Sequence, residues 1–355
     1  MRREQFRASS EDALALFERA HHVHLAAVLP NGAPLYRALH GVVVRGHLAF
    51  HAAPIGEKLE VAERAVVMSA FEPVAQIPSW FLDPERACPA TTLYRSAQAH
   101  GVLREIEEPA FRAEVLARLM AKFQPEGGYT PIEAESPLYK KAIAGLFLGA
   151  IPLDRVDGKD KLMQNRSARD RARVIECLWR RGAHGDVAAI EAIRAACPAD
   201  PTPSWLAFER GIELRVALRP GDAEAAAALL ADAYWNDRFS PGELARAARG
   251  SAWVGAVDAE GRLCATARAI SDGAKHAWIY DVFVAEAARG TGLGERLMRL
   301  LLDHPEVRGA RFAHLGTRDA QAFYAKLGFS PASEIARPYS STVMVRDRDG
   351  VPAAG

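Results

Sequence analysis

The chain has few cysteines, almost no net charge and no long apolar run, and each shortage removes a class of function. Only four cysteines occur in 355 residues, Cys88, Cys177, Cys197 and Cys264, and no two form a C-x-x-C pair. A metal knuckle or a disulfide framework is therefore not expected, and the reduced thiols of a cytoplasmic protein are. Basic residues number 45 against 44 acids, a formal charge of +1. Nucleic acid or an anionic membrane as a partner favours a basic face or block, and none is evident; nor is a helix-turn-helix or basic recognition element visible. No stretch reaches the ~18 consecutive apolar residues of a membrane span, and the segment after Met1 lacks the apolar core of a signal peptide. A soluble cytoplasmic protein is the expectation. Internal repeats are missing, as is low complexity beyond an alanine bias.

What is present suffices for two cores. At 49% hydrophobic residues and 355 in length, the chain exceeds the usual single domain of roughly 150 residues. The run Cys197-Pro198-Ala199-Asp200-Pro201-Thr202-Pro203-Ser204 interrupts helical patterning, which places a Pro-rich helical linker at 183–211. Before it, residues 23–29, 41–44, 47–51, 66–71 and 97–102 read as short strands separated by turns such as Asn31-Gly32 and Arg45-Gly46. Residues 10–20, 57–63 and 109–122 read as helices. An antiparallel barrel with peripheral helices is expected over 1–182. After the linker, residues 222–234 read as an Ala-rich helix and 253–257 with 263–270 as a hairpin around Glu260-Gly261. An α/β domain is expected over 212–346, followed by a tail at 347–355.

The most informative segment is Arg289-Gly290-Thr291-Gly292-Leu293-Gly294, entered from a strand at 276–284 and left through a helix at 295–302. Glycines let backbone N–H groups close on a diphosphate, and the helix that follows offers unsatisfied N–H groups and a positive dipole end. A Gly-rich turn of no consequence is the plain alternative. A dinucleotide-binding loop is the other rival, but it needs an acid roughly 20 residues on. Residues 308–315 contain none.

The spacing Arg289-x-x-Gly292-x-Gly294 resembles the acyl-CoA pyrophosphate loop of the GNAT N-acetyltransferases. Ala320-Gln321-Ala322-Phe323-Tyr324-Ala325-Lys326-Leu327-Gly328-Phe329 is similar to that family's second signature. The resemblance implies a mixed, V-splayed sheet with acetyl-CoA in its cleft and a primary amine as acceptor. The backbone of Val282, Phe283 and Val284 would then pair with the pantetheine arm, and Arg289, Gly290, Thr291, Gly292, Leu293 and Gly294 would hold the pyrophosphate. Tyr324 would protonate the departing CoA thiolate, with a packing tyrosine as the alternative. Asp319 stands where the family often has asparagine, and serves equally as a helix N-cap. Asp281 is the candidate base for the acceptor ammonium, ahead of Tyr280, His276 and His314. Tyr234 and Trp235 look like an acceptor-site wall, or else are buried core aromatics.

Residues 23–173 resemble the pyridoxamine 5'-phosphate oxidase-like split barrel, nearest its nitroimidazole-resistance-type flavoproteins. The likeness is carried by Asn31-Gly32-Ala33-Pro34, Leu48-Ala49-Phe50-His51-Ala52-Ala53-Pro54-Ile55-Gly56-Glu57-Lys58, Tyr94-Arg95-Ser96-Ala97-Gln98-Ala99-His100-Gly101 and Lys159-Asp160-Lys161-Leu162-Met163-Gln164-Asn165-Arg166-Ser167. It implies FMN, with Lys58 and Ser96 on the phosphate, Arg37 a further cation, and Phe50 and His51 along the isoalloxazine edge. Paired cations with hydroxyls suit a dianionic phosphate. It also implies a homodimer through the barrel. The histidines His21, His22, His24, His40, His47 and His51 lack the spacing of a zinc site, so no metal is expected. Haem, through His51 or His40, is the alternative cofactor. The combined expectation is an acetyl-CoA-dependent N-acetyltransferase fused to a flavin-type barrel. A flavin oxidoreductase with a regulatory GNAT module and a non-enzymatic ligand-responsive regulator are the competing readings.

Overall fold

The computed structural model describes residues 4–335, so the end of the second expected domain and the tail at 347–355 lie outside the described residues. The first half runs β1 (Arg7–Ala8), α1 (Ser10–Arg19), β2 (Val23–Val28), β3 (Pro34–Leu39), β4 (Gly41–Val44), β5 (His47–Ala52), β6 (Ala65–Ile77), β7 (Thr91–Val102), β8 (Arg104–Glu105), α2 (Pro109–Phe123), α3 (Lys140–Ala144), β9 (Phe147–Pro152) and β10 (Val156–Lys161). Its strands pair antiparallel in two sheets, ordered β1-β10-β7-β6-β2-β3 and β4-β5-β9-β8. Both close on one core that includes Phe17, Leu25, Leu48, Phe50, Met68 and Ile151. This is an antiparallel split barrel with peripheral helices. Local chemistry sets its corners: at the β2–β3 turn Asn31 Oδ1 accepts the Ala33 N–H at 2.9 Å, and Gly32 takes a φ of +85° that costs a residue without Cβ little.

Three elements differ from the sequence reading. Residues 57–63 form only a 3-10 turn, Glu57–Val61. Glu63 ends it with a φ of 59° and gives its N–H to the Leu103 carbonyl at 2.7 Å, joining the sheet instead. The β6–β7 hairpin is longer than its alternation suggests, pairing from Ala65 with Val102 to Ile77 with Thr91 and slipping register between Pro73 and Ala75. A proline has no N–H for the ladder, so a register slip beside it leaves no donor wanting. Strand β9 is a solid apolar run, buried through Ile151, which periodicity does not assign.

The second half contains α4 (Ala168–Arg181), α5 (Asp186–Ala196), β11 (Glu213–Arg215), α6 (Asp222–Leu229), α7 (Pro241–Arg249), β12 (Ala252–Val257), β13 (Leu263–Ser271), β14 (His276–Val284), α8 (Leu293–Leu302), β15 (Phe312–His314) and α9 (Gln321–Ala325). The sheet order is β11-β12-β13-β14-β15, antiparallel except for the parallel β14–β15 pair. On one face α8 buries Leu293, Leu297, Met298, Leu300 and Leu301, each contributing about 1.5–3 kcal/mol. On the other, α6 and α7 pack around Trp253. Helix α6 stops at Leu229 rather than 234. From there the chain proceeds by single turns, with Ala233 N–H on the Leu230 carbonyl and Asn236 N–H on that of Ala233, because Trp235 is drawn to a partner on β14 described below.

Helices α4 and α5 join the halves. A continuous core runs from Ile77, Phe81 and Leu93 at the far end of β6–β7, through Val174, Leu178 and Ile190, to Leu214 and Leu301. Helix α5 lies inside the 183–211 stretch with Val187, Ala189, Ile190 and Ile193 buried. Polar contacts reinforce the seam: Trp179 Nε1 donates to Asp303 Oδ2 at 2.8 Å and Arg308 to the Arg180 carbonyl at 2.7 Å.

His304 sits behind that seam, edge-on to Trp179 at 5.6 Å, with its Nδ1 accepting the Glu306 N–H at 3.2 Å. Burial pushes its pKa down to about 4, against an opposing hydrogen bond with the Val216 backbone. The unfolded chain, with a histidine pKa near 6.5, therefore binds a proton that the native fold does not. Its contribution to stability is complete above about pH 6.5 and is lost as pH falls toward the native value, by about 2 kcal/mol between pH 7 and pH 5. Urea unfolding at the two pH values should show a smaller loss in His304→Gln than in the parent. Equal losses would remove His304 as the cause.

Candidate functional site

The site is built on a flaw in strand pairing. Along β13, Thr266 faces Phe283 but Arg268 faces Tyr280. Asp281 and Val282 together oppose Ala267, which is a β-bulge. Asp281 takes a φ of 53° there, a left-handed conformation that aspartate tolerates better than most residues. Its carboxylate is held at both oxygens: Arg268 Nε donates to Oδ2 at 2.5 Å and Trp235 Nε1 to Oδ1 at 3.2 Å. Arg268 also donates to Ser251 Oγ at 3.1 Å and lies over the Tyr280 ring. On its other edge β14 pairs with β15 only at His276, Ala277 and Trp278. Beyond Trp278 no strand among the described residues covers that edge, and the ladder alternation, with the Ala285 N–H on the Cys264 carbonyl and Phe283 opposite Thr266, turns the backbone of Phe283 to β13 and leaves that of Val282 and Val284 facing the open edge, where an extended ligand could pair. The Val284 carbonyl already accepts Arg289 Nε at 2.9 Å.

The open edge runs directly into the glycine turn. Gly290 and Gly292 have φ of +73° and +86°, and a Cβ on either would meet nothing within 4 Å. Conformation, not crowding, demands glycine there, and the space over the turn is free. Thr291 Oγ1 donates to the Ala288 carbonyl at 2.8 Å and accepts the Leu293 N–H at 3.4 Å. The first bond of α8 runs from Arg296 N–H to the Gly292 carbonyl, so Gly294 and Glu295 have N–H groups with no partner within the helix, at its positive end.

Helix α9 brings Tyr324 to the same place. The ring is buried edge-on between Phe323 and Phe329, and burial, then the neighbouring Tyr234 phenol, raises its pKa. Asp319 does not cap α9; Thr317 Oγ1 accepts the Ala320 N–H at 3.0 Å, while Asp319 faces Arg318 at 3.4 Å in solvent. Tyr234 and Trp235 are 45% and 39% exposed, which removes the reading as buried core. They stand edge-on at 4.8 Å, Trp235 lies 6.4 Å from Phe283, and the Arg318 guanidinium lies 3.7 Å over the Tyr234 ring. Asp281, Tyr234, Trp235, Phe283 and Tyr324 thus converge. Arg268 and Arg318 join them without having been selected in the sequence; the period-2 alternation of β13 puts Arg268 on that face, but nothing in the sequence marks Arg318. His276 and His314 bond each other at 2.9 Å at the start of β14, about 16 Å along the strand from Asp281 at its usual ~3.3 Å rise per residue.

A second cavity, of about 500 Å3, opens in the barrel and is lined by Arg37, His51 and Lys58 with His22, His40 and Glu57. That volume is in the range of small-molecule sites. Arg37 is ion-paired with Glu57, and Lys58 Nζ donates to the Ile55 carbonyl at 2.7 Å. Burial, then the neighbouring His40, lowers the pKa of His51, whose buried Nδ1 has no hydrogen-bond partner. Phe50 and Ser96 are not brought to this cavity. Phe50 is fully buried in the barrel core, and Ser96 pairs with Phe71 and Lys159 within the six-stranded sheet.

Comparison with known proteins divides the chain at the same seam. Residues 9–160 match the family model for pyridoxamine 5'-phosphate oxidase and residues 218–329 that for the acetyltransferase (GNAT) family. Glucosamine 6-phosphate N-acetyltransferase 1 of Oryza sativa subsp. japonica is 46% identical over 52 residues, 14% of this chain; the match spans only 32% of that relative's length. Among solved structures, a Xanthomonas campestris pv. campestris protein assigned to the GNAT family is 31% identical, with 36% of this chain and 93% of that one covered, at a TM-score of 0.31. An FAD and heme binding protein from Mycobacterium smegmatis is 18% identical, with 48% and 80% covered, at a TM-score of 0.37. No helix among the described residues is long and apolar enough to cross a membrane.

Gly292→Val tests the turn. A β-branched residue held at positive φ costs about 1–2 kcal/mol, and its side chain enters the free space over the loop. Titration calorimetry should show CoA affinity reduced at least about tenfold in a variant whose melting curve is still cooperative, the loss of a single charge-assisted contact being enough. Unchanged affinity in that folded variant would rule out the turn as an anion cradle.

Proposed function

Because the chain joins a pyridoxamine 5'-phosphate oxidase-family domain to one of the acetyltransferase (GNAT) family, we propose that it transfers an acetyl group from acetyl-CoA to a primary amine and binds FMN in its barrel. The observation that carries the first part is that the opened edge of β14 leads straight into the glycine turn and the start of α8. The pantetheine amides would extend the sheet along Val282, Phe283 and Val284, and the pyrophosphate would lie over residues 289–294.

The proposed chemistry assigns each proton. The amine nitrogen attacks the thioester carbonyl carbon, the C–S bond breaks, and sulfur leaves as the thiolate, which takes the phenolic proton of Tyr324. The raised pKa of Tyr324 keeps that proton on the phenol until a thiolate forms. The proton lost by the amine goes to Asp281, each of whose oxygens accepts one hydrogen bond and retains a further lone pair. The ion pair with Arg268 and the bond from Trp235 fix the carboxylate's direction.

For the barrel, the residues fit a flavin phosphate: two cations, Arg37 and Lys58, and the unpartnered His51 nitrogen border one cavity. FMN, when bound, would supply hydride or single-electron chemistry. Val28, Tyr36 and Phe71 are exposed on the outer face of the six-stranded sheet, and Ser96 lies opposite Phe71 there. A second copy docked on that face would cover these residues, and Ser96 would then reach a flavin through the dimer rather than within its own chain. Haem is the second reading, favoured by His51 and by the His22 and His40 rings 5.1 Å apart.

Two variants separate these assignments. Tyr324→Phe keeps the ring and removes the donor, so CoA release should fall about 10²-fold with acetyl-CoA affinity intact; unchanged turnover would make Tyr324 a packing residue. Lys58→Glu places a second acid beside Glu57 and should abolish FMN retention while CoA binding holds. Thermal melting and light scattering with added FMN or hemin are the measure, since a ligand that prefers the folded dimer raises its melting temperature. A monomer stabilised by neither would overturn the cofactor and dimer proposals together.

A further inference from the structure

We propose that the amine accepted by the transferase site also carries an anionic group, a carboxylate or a phosphate ester, and that Arg318 binds it. This rests on the acetyl-transfer reading above and deepens it to a substrate class. The floor and the rim of the site differ in charge. At the floor, Asp281 and Arg268 form a closed pair, with side chains 6% and 14% exposed, that contributes no net charge. At the rim, the Arg318 guanidinium lies 3.7 Å over the Tyr234 ring. Stacking engages the face of the guanidinium and leaves its N–H edge available, the arrangement in which arginine takes carboxylate or phosphate in two parallel bonds.

The other charge beside Arg318 does not satisfy it. Asp319 Oδ2 stands 3.4 Å away with both side chains about two-thirds exposed, a pair of the kind that contributes little. Floor and rim are joined by one aromatic wall: Asp281 bonds the Trp235 indole, Trp235 meets Tyr234, and Tyr234 carries Arg318. An amine with its nitrogen toward Asp281 and its body along this wall would end at the guanidinium. A neutral amine would leave that edge hydrated, whereas an anionic one gains a charge-assisted pair.

The test uses the full chain, acetyl-CoA and two matched pairs of amines: β-alanine with β-alaninamide, and phosphoethanolamine with ethanolamine. Acetyl-CoA binding is first established by calorimetry, and CoA thiol release then gives kcat/KM for each amine. The anionic member of at least one pair should be preferred at least tenfold, and which pair shows it identifies carboxylate or phosphate. Arg318→Ala should cut that preference about tenfold to a hundredfold, the scale of a lost hydrogen bond to a charged group. Arg318→Lys should recover part of it, since charge is kept and the planar fork is lost. Equal use of both members of each pair, no turnover by a chain that binds acetyl-CoA, or a preference that survives Arg318→Ala would each overturn the proposal. Failure to bind acetyl-CoA would instead overturn the transferase reading, and this inference with it.

Discussion

The bulge at Asp281 is the constraint from which the second domain's cleft follows. One extra residue in β14 re-aims the strand, and pairing with β15 does not continue past Trp278. The bulge is stable because the residue in the left-handed position is also the one whose carboxylate bonds Arg268 on the neighbouring strand and Trp235 on the loop after α6. Strain in the backbone is thus offset by side-chain bonds, and those bonds pull the Tyr234-Trp235 wall over the cleft. The open strand edge and the placement of that aromatic wall therefore share one cause.

The two halves do not behave as separate bodies on a tether. The far end of the β6–β7 hairpin, the α4–α5 pair and the inner face of the second sheet contribute to one apolar core. Arg181 illustrates the economy of the joint: it pairs with the buried Asp186 and lies over the Phe81 ring at 5.0 Å. A change of shape at the barrel's end would be felt by α8 through packed side chains, because close-packed interiors transmit displacement rather than absorb it. The barrel cavity itself lies among β3, β5 and the 3-10 turn, at some remove along the sheet from this seam.

Much of the local geometry around the two candidate sites was legible in the chain. The glycine turn is local, set by positive φ at Gly290 and Gly292, and glycine spacing reports it directly. The alternating strands 23–29 and 47–51 were legible for the same reason, since a half-buried sheet imposes a period of two. Arg37, Lys58 and His51 were found from neighbouring sequence and do share a cavity. Phe50, adjacent to His51, was assigned with it; the same alternation that sends His51 to the cavity sends Phe50 into the core.

The sequence by itself determined the local grammar: an antiparallel β half followed by an α/β half, the helix that starts at a glycine turn, and the order of the segments. Tertiary structure decided what local grammar cannot carry. The bulge depends on how β14 registers against β13, and register is a property of two strands. The end of α6 at Leu229 depends on a bond from Trp235 to an acid 46 positions on. Arg318 is one arginine among many until the chain returns to set it on Tyr234. Each of these is a contact between residues distant in sequence, where the free energy of packing and of buried charge overrides the small preferences that a single segment expresses.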